Sequence, residues 1–99
     1  MQTKHIRFVE SGETREVGPG TRCVAIPRDM DSEGGKAEVI GEQNGVPVFR
    51  YARADGVEAT KSLRPMKISD RNPGDELLVE TDEVDARGYR RWSEAVIRP

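Results

Sequence analysis

The sequence predicts an all-β domain, a small barrel or a two-sheet sandwich of about six to eight short antiparallel strands. Three observations carry that expectation. Ten valines and five isoleucines stand against three leucines; such branched side chains lose rotamer freedom in a helix and pack well on a pleated surface. Ten glycines and six prolines interrupt the 99 residues at short intervals. Between these breaks the apolar residues come in short runs, of which Cys23–Ile26 is the longest, as expected of strands joined by turns. The alternative is an α+β domain with one short helix, after Asp55 or near the C-terminus.

The elements follow in order. His5–Glu10 alternates, with Ile6 and Phe8 on one face. Ser11-Gly12-Glu13 turns the chain, Thr14–Val17 makes a short return, and Gly18-Pro19-Gly20 is a strong break. Thr21–Ile26 is a strand with Val24 and Ile26 on one face and Cys23 and Ala25 on the other; Pro27 ends it. Ala37–Glu42 is a strand of ambiguous facing, because Val39 and Ile40 are both apolar. Asn44-Gly45 fits a type I′ turn, whose twist matches antiparallel strands, and joins 37–42 to Val46–Arg53 as a hairpin. Pro47 then belongs where its missing N–H faces outward. After the turn at Ala54-Asp55-Gly56, residues Val57–Leu63 read as a strand. The competing reading is a helical turn with Asp55 as N-cap and Glu58 completing a capping box. Met66–Ser69 is short, Asn72–Asp75 turns, and Glu76–Glu83 places Leu77 and Val79 inward. A second hairpin turns at Asp85–Gly88, and Tyr89–Ile97 returns, the alternative there being a helical turn near Ser93–Val96. The expected core is Ile6, Phe8, Val24, Ile26, Val39, Val48 or Phe49, Leu77, Val79 and Trp92. Residues 1–99 read as a single domain.

Composition excludes several functions. Net charge is −2 with 34% charged residues, so no global field recruits nucleic acid. One cysteine allows no intrachain disulfide. The N-terminal stretch lacks the apolar core of a signal peptide, and no run approaches the ~20 residues of a membrane helix. A cytoplasmic protein with no membrane partner is expected, and its oligomeric state is not written in the sequence.

The stretch Arg28–Gly35 raises the question of a metal. Asp29, Asp31 and Glu33 alternate and Gly34 follows, as in the first half of a calcium-binding EF-hand loop. Ile40 occupies the position where the bidentate glutamate should stand, and Lys36 the place of an apolar residue, so the stretch reads as a solvated loop. His5 has no second histidine or cysteine cluster to complete a transition-metal site. Cys23 reads as a small buried hydrophobe. No phosphate-binding glycine loop or nucleophile elbow occurs. No enzyme, metal or cofactor is expected.

Two patterns remain. Phe49, Tyr51 and Arg53 share a strand face, and Arg90 and Arg91 lie between Tyr89 and Trp92. Exposed aromatics beside arginines stack single-stranded nucleic acid bases. The acidic segment Asp75–Asp85 offers Glu76, Glu80, Asp82 and Glu83 to a basic protein partner, or guards a strand edge against aggregation. The leading expectation is a small non-enzymatic protein-binding module, an adaptor or accessory protein; the alternative is a nucleic-acid-binding barrel.

Overall fold

The computed structural model describes residues 3–31 and 36–99. These described residues are all-β, with nine strands in two antiparallel sheets. In chain order these are β1 (Lys4–Phe8), β2 (Thr14–Val17), β3 (Arg22–Ala25), β4 (Ala37–Gln43), β5 (Val46–Ala52), β6 (Glu58–Ser62), β7 (Met66–Lys67), β8 (Glu76–Val84) and β9 (Arg90–Ile97). The first sheet runs β2-β1-β9-β8-β3-β7 and the second β4-β5-β6. The count exceeds the expected six to eight by the two-residue β7. Among the described residues the only helical element is a 3₁₀ turn, Ile68–Asp70, so neither expected site for a helix forms one.

The region after Asp55 shows why. Asp55 does accept a local bond, from the Val57 N–H at 3.0 Å, and Gly56 takes φ +82°. This is an Asx turn, which the same side chain can make as readily as a helix cap. The chain then extends as β6, with Tyr51 opposite Ala59 and Phe49 opposite Lys61.

Both faces of the six-stranded sheet are covered. On one face, Ile6, Phe8, Cys23, Leu77, Val79, Ala95 and Ile97 form a cluster with Ile68 of the 3₁₀ turn. Among the described residues, none from β4, β5 or β6 joins it. The sheet's own margins close it instead, with Val17 of β2 and Met66 of β7 packed against the cluster. The Ile68 N–H donates to Thr21 O at 2.9 Å and the Ser69 N–H to Pro19 O at 3.2 Å, which holds the 3₁₀ turn against the connection between β2 and β3. The Arg15 guanidinium covers the Phe8 ring, 5.0 Å from its centroid.

The other face carries Val24, Leu78 and Trp92, and the three-stranded sheet packs onto these with Val39, Phe49, Tyr51 and Ala37. Here Phe49 and Trp92 meet edge to face, centroids 5.3 Å apart at 84°. Leu78 is therefore as buried as its neighbours Leu77 and Val79, although strict alternation put it outside. Phe49 is the core residue and Val48 is not, which settles that alternative. Ile26 is half-buried at the margin of this second cluster.

Two irregularities shape the hairpins. On β4 the register jumps between Val39 and Gly41, so Ile40 is the extra residue of a bulge; this accounts for two adjacent apolar residues in one strand. On β8 the register jumps between Glu80, opposite Trp92, and Val84, opposite Arg90. Thr81, Asp82 and Glu83 thus stand against Arg91 alone. The Thr81 hydroxyl holds this larger bulge by donating to Arg91 O at 2.9 Å.

Candidate functional site

The two hairpins lean toward each other, and an open cleft of ≈ 480 Å³ lies between them. One wall is the β4–β5 hairpin, with Glu42 and Pro47; the other is the β8–β9 hairpin, with Gly88, Tyr89 and Arg90; Arg22, Val39, Glu80 and Trp92 lie between.

Each wall is held by local chemistry. Asn44 (φ +54°) and Gly45 (φ +79°) make the left-handed pair of a type I′ turn. At the other tip the Asp85 carboxylate accepts from the N–H groups of Arg87 at 2.9 Å and Tyr89 at 3.0 Å. Burial opposes ionisation of Asp85, but these bonds and the Arg87 guanidinium outweigh it and lower its pKa. Arg87 then reaches across to the second sheet. It donates to Val39 O at 2.9 Å, lies 3.6 Å from a Glu38 oxygen, and stands 5.5 Å over the Tyr89 ring. This arginine fixes the hairpin tip against β4, and so sets the spacing of the cleft walls.

Between the walls, Arg22 and Glu80 form a two-point pair, Nε to Oε1 at 3.1 Å and Nη2 to Oε2 at 2.5 Å. The guanidinium also lies over Trp92, 5.6 Å from the ring. The hydrogen bond to Glu80 raises the pKa of Arg22 against the desolvation it suffers, and the field of Glu42 adds to the effect.

The structure disperses the residues expected to stack nucleic acid. Phe49 is 0% and Tyr51 2% exposed. Their face is the inner face of the second sheet, because a core this small takes the largest apolar surfaces first. The stacking platform of Phe49, Tyr51 and Arg53 is therefore absent from the surface. Arg53 pairs with Asp55 at 2.8 Å. Arg90 lines the cleft, whereas Arg91, one residue along the strand, is exposed and outside it.

The acidic set is also divided. Glu80 is engaged by Arg22. Asp82 and Glu83 are exposed on the β8 bulge. Glu76 lines a second cleft of ≈ 380 Å³ beside Ile26, Met30 and Glu94. Burial, and then the nearby Glu76 carboxylate, push the pKa of Glu94 up.

In the Arg28–Gly35 stretch, Asp29 accepts from the Tyr51 hydroxyl at 2.8 Å, and its carbonyl accepts from the Ala54 N–H at 2.9 Å. That hydroxyl lowers the pKa of Asp29. Asp29 fastens the start of this loop to the end of β5. Glu33 and Gly34 lie outside the described residues, and among those described no group of three or more His, Cys, Asp or Glu side chains is placed to hold a metal. Cys23 is wholly buried, and burial pushes its thiol pKa up. His5 is exposed.

Among the described residues no helix is long and apolar enough to cross a membrane. Comparison of the chain with protein-family models, curated proteins and solved structures finds no match.

Proposed function

We propose that this chain is a small non-enzymatic binding module for another protein, and that its contact surface is the cleft between the two hairpins. The observation that carries the reading is the lining of that cleft. Tyrosine, tryptophan and arginine are the side chains most enriched where proteins recognise one another, and Tyr89, Trp92, Arg22 and Arg90 meet there. The cleft holds no serine, cysteine or histidine to act as a nucleophile or its base. Its arginine–glutamate pair and the Arg87 clamp hold the walls before any partner arrives, which lowers the ordering cost of association. The nucleic-acid reading keeps Arg90 and Arg91 but loses the two strand-face aromatics on which it was built.

A photo-crosslinking residue at position 89, introduced in the source cell, tests the proposal. A discrete protein adduct is expected at 89 and not at Thr60, which is exposed on β6. No adduct at 89, or the same adducts from both positions, defeats it. An adduct to nucleic acid at 89 transfers the site to the other reading.

A further inference from the structure

The cleft has a backbone as well as side chains. β4 is the terminal strand of its sheet. In a two-residue hairpin the residues flanking the turn form a hydrogen-bonded pair, and the next pair along does not. Gln43 and Val46 flank the turn, so Glu42 and Pro47 are the non-bonded pair. Pro47 is the second residue of the central strand, so its missing N–H does not face outward as expected but lies on the β6 side, where the ladder stops at Val48 opposite Ser62. The Pro47 carbonyl turns toward β6, where it accepts from the Leu63 N–H at 3.2 Å. The N–H and C=O of Glu42 accordingly point the other way, off the open edge of β4. No described loop or side-chain group bonds to them.

Further along the same edge, Val39 O faces outward too, and there it is taken by Arg87. The edge is thus covered at Val39 and open at Glu42. The charges beside the opening are of both signs. Arg22 and Glu80 satisfy each other. Arg90, from one wall, and Glu42, from the other, come within ion-pair distance of no described residue, although Glu42 lies in the field of Arg22.

We infer that the occupant of the cleft is an extended peptide segment of the partner protein, added as a strand at the open edge of β4, with a carboxylate against Arg90 and a basic side chain against Glu42. Strand addition of this kind takes affinity from main-chain bonds and specificity from alternate side chains. The inference rests on the cleft being the binding surface and adds the class of ligand.

The probe is a displayed library of random peptides selected on the intact protein, followed by amide NMR of the protein with the enriched peptides. Peptides carrying one acidic and one basic residue at constant spacing are expected, shifting the amides of 41–43 and 88–92. Arg90→Glu should weaken them at least tenfold and select a base where the acid stood; Glu42→Lys should select an acid where the base stood. Peptides that shift those amides yet change less than twofold with either substitution overturn the charge assignment and leave the cleft reading intact. Enriched peptides that shift amides elsewhere, or no enrichment, overturn both. Wild-type-like amide spectra of the two variants exclude misfolding as the cause.

Discussion

The two faces of the six-stranded sheet are buried in different ways. One face is closed by the sheet's own margins around aliphatic side chains, Phe8 and Cys23. The other face is closed by a separate sheet, through Phe49, Tyr51 and Trp92, two of which also meet polar groups: the Tyr51 hydroxyl bonds to Asp29, and the Trp92 ring lies under Arg22. The first core belongs to one sheet. The second exists only while two sheets are in contact, and it is at its margins that the clefts open. A core built within one sheet provides rigidity; a core built between sheets provides edges and grooves as well. The three-stranded sheet has one buried face and depends on Val24, Leu78 and Trp92 from its neighbour, so it should be the less stable of the two.

The largest effect should come from Phe49→Ala. Removing a fully buried ring costs about 3–5 kcal/mol, and amides of 37–62 should then exchange well ahead of those in β1, β8 and β9. Simultaneous loss of protection in both sheets, read by hydrogen exchange, would break the distinction. Ile97→Ala in the first core should cost about 2–5 kcal/mol, with the opposite signature: both sheets lose protection together, because the second rests on the first.

Tyr51→Phe is smaller, lowering the melting temperature by a few degrees. Its sign with pH is informative. The Tyr51 hydroxyl lowers the pKa of Asp29, so the stability this bond contributes is present above the carboxyl's unfolded value of about 3.9 and is lost as pH falls through the folded one. The gap between wild type and Tyr51→Phe should close on acidification; a gap that persists at about pH 2 removes Asp29 from the account. The smallest effect is Glu94→Gln. A carboxyl whose pKa is raised disfavours the folded state once pH climbs through the unfolded and then the folded value. The variant should be slightly more stable than wild type at about pH 7 and no different at about pH 3. Greater stability at both pH values would point to packing instead.

Local chemistry made parts of this fold readable from the residues. Asn44-Gly45 announces its hairpin because few residues accept two successive left-handed conformations, and Asp85–Gly88 closes the second hairpin with its aspartate. The facing of Val24 against Cys23 followed from alternation. Alternation failed at Leu78, since a strand covered on both sides buries consecutive residues, and at Ile40, where a bulge breaks the period. The aromatic face of β5 was readable as a face, but which way it turned depended on the second sheet. The cleft was not readable at all as a place. Its residues come from β3, β4, β5, β8 and β9 and from the turn before β9, and only the packing of the sheets makes them neighbours. Arg90 and Glu80, assigned in the sequence to different partners, share it.

The bulge on β8 has a consequence for how this chain can change length. Glu80 and Val84 are separated by three residues where Trp92 and Arg90 are separated by one, a surplus of two. Because side chains alternate with a period of two, an even surplus leaves the inside–outside code of the hairpin unchanged beyond it. Descendants of this sequence should therefore gain or lose residues between Thr81 and Glu83 in pairs, while a single insertion or deletion would set Val84 on the opposite face of β8 unless a one-residue bulge like that at Ile40 absorbed it.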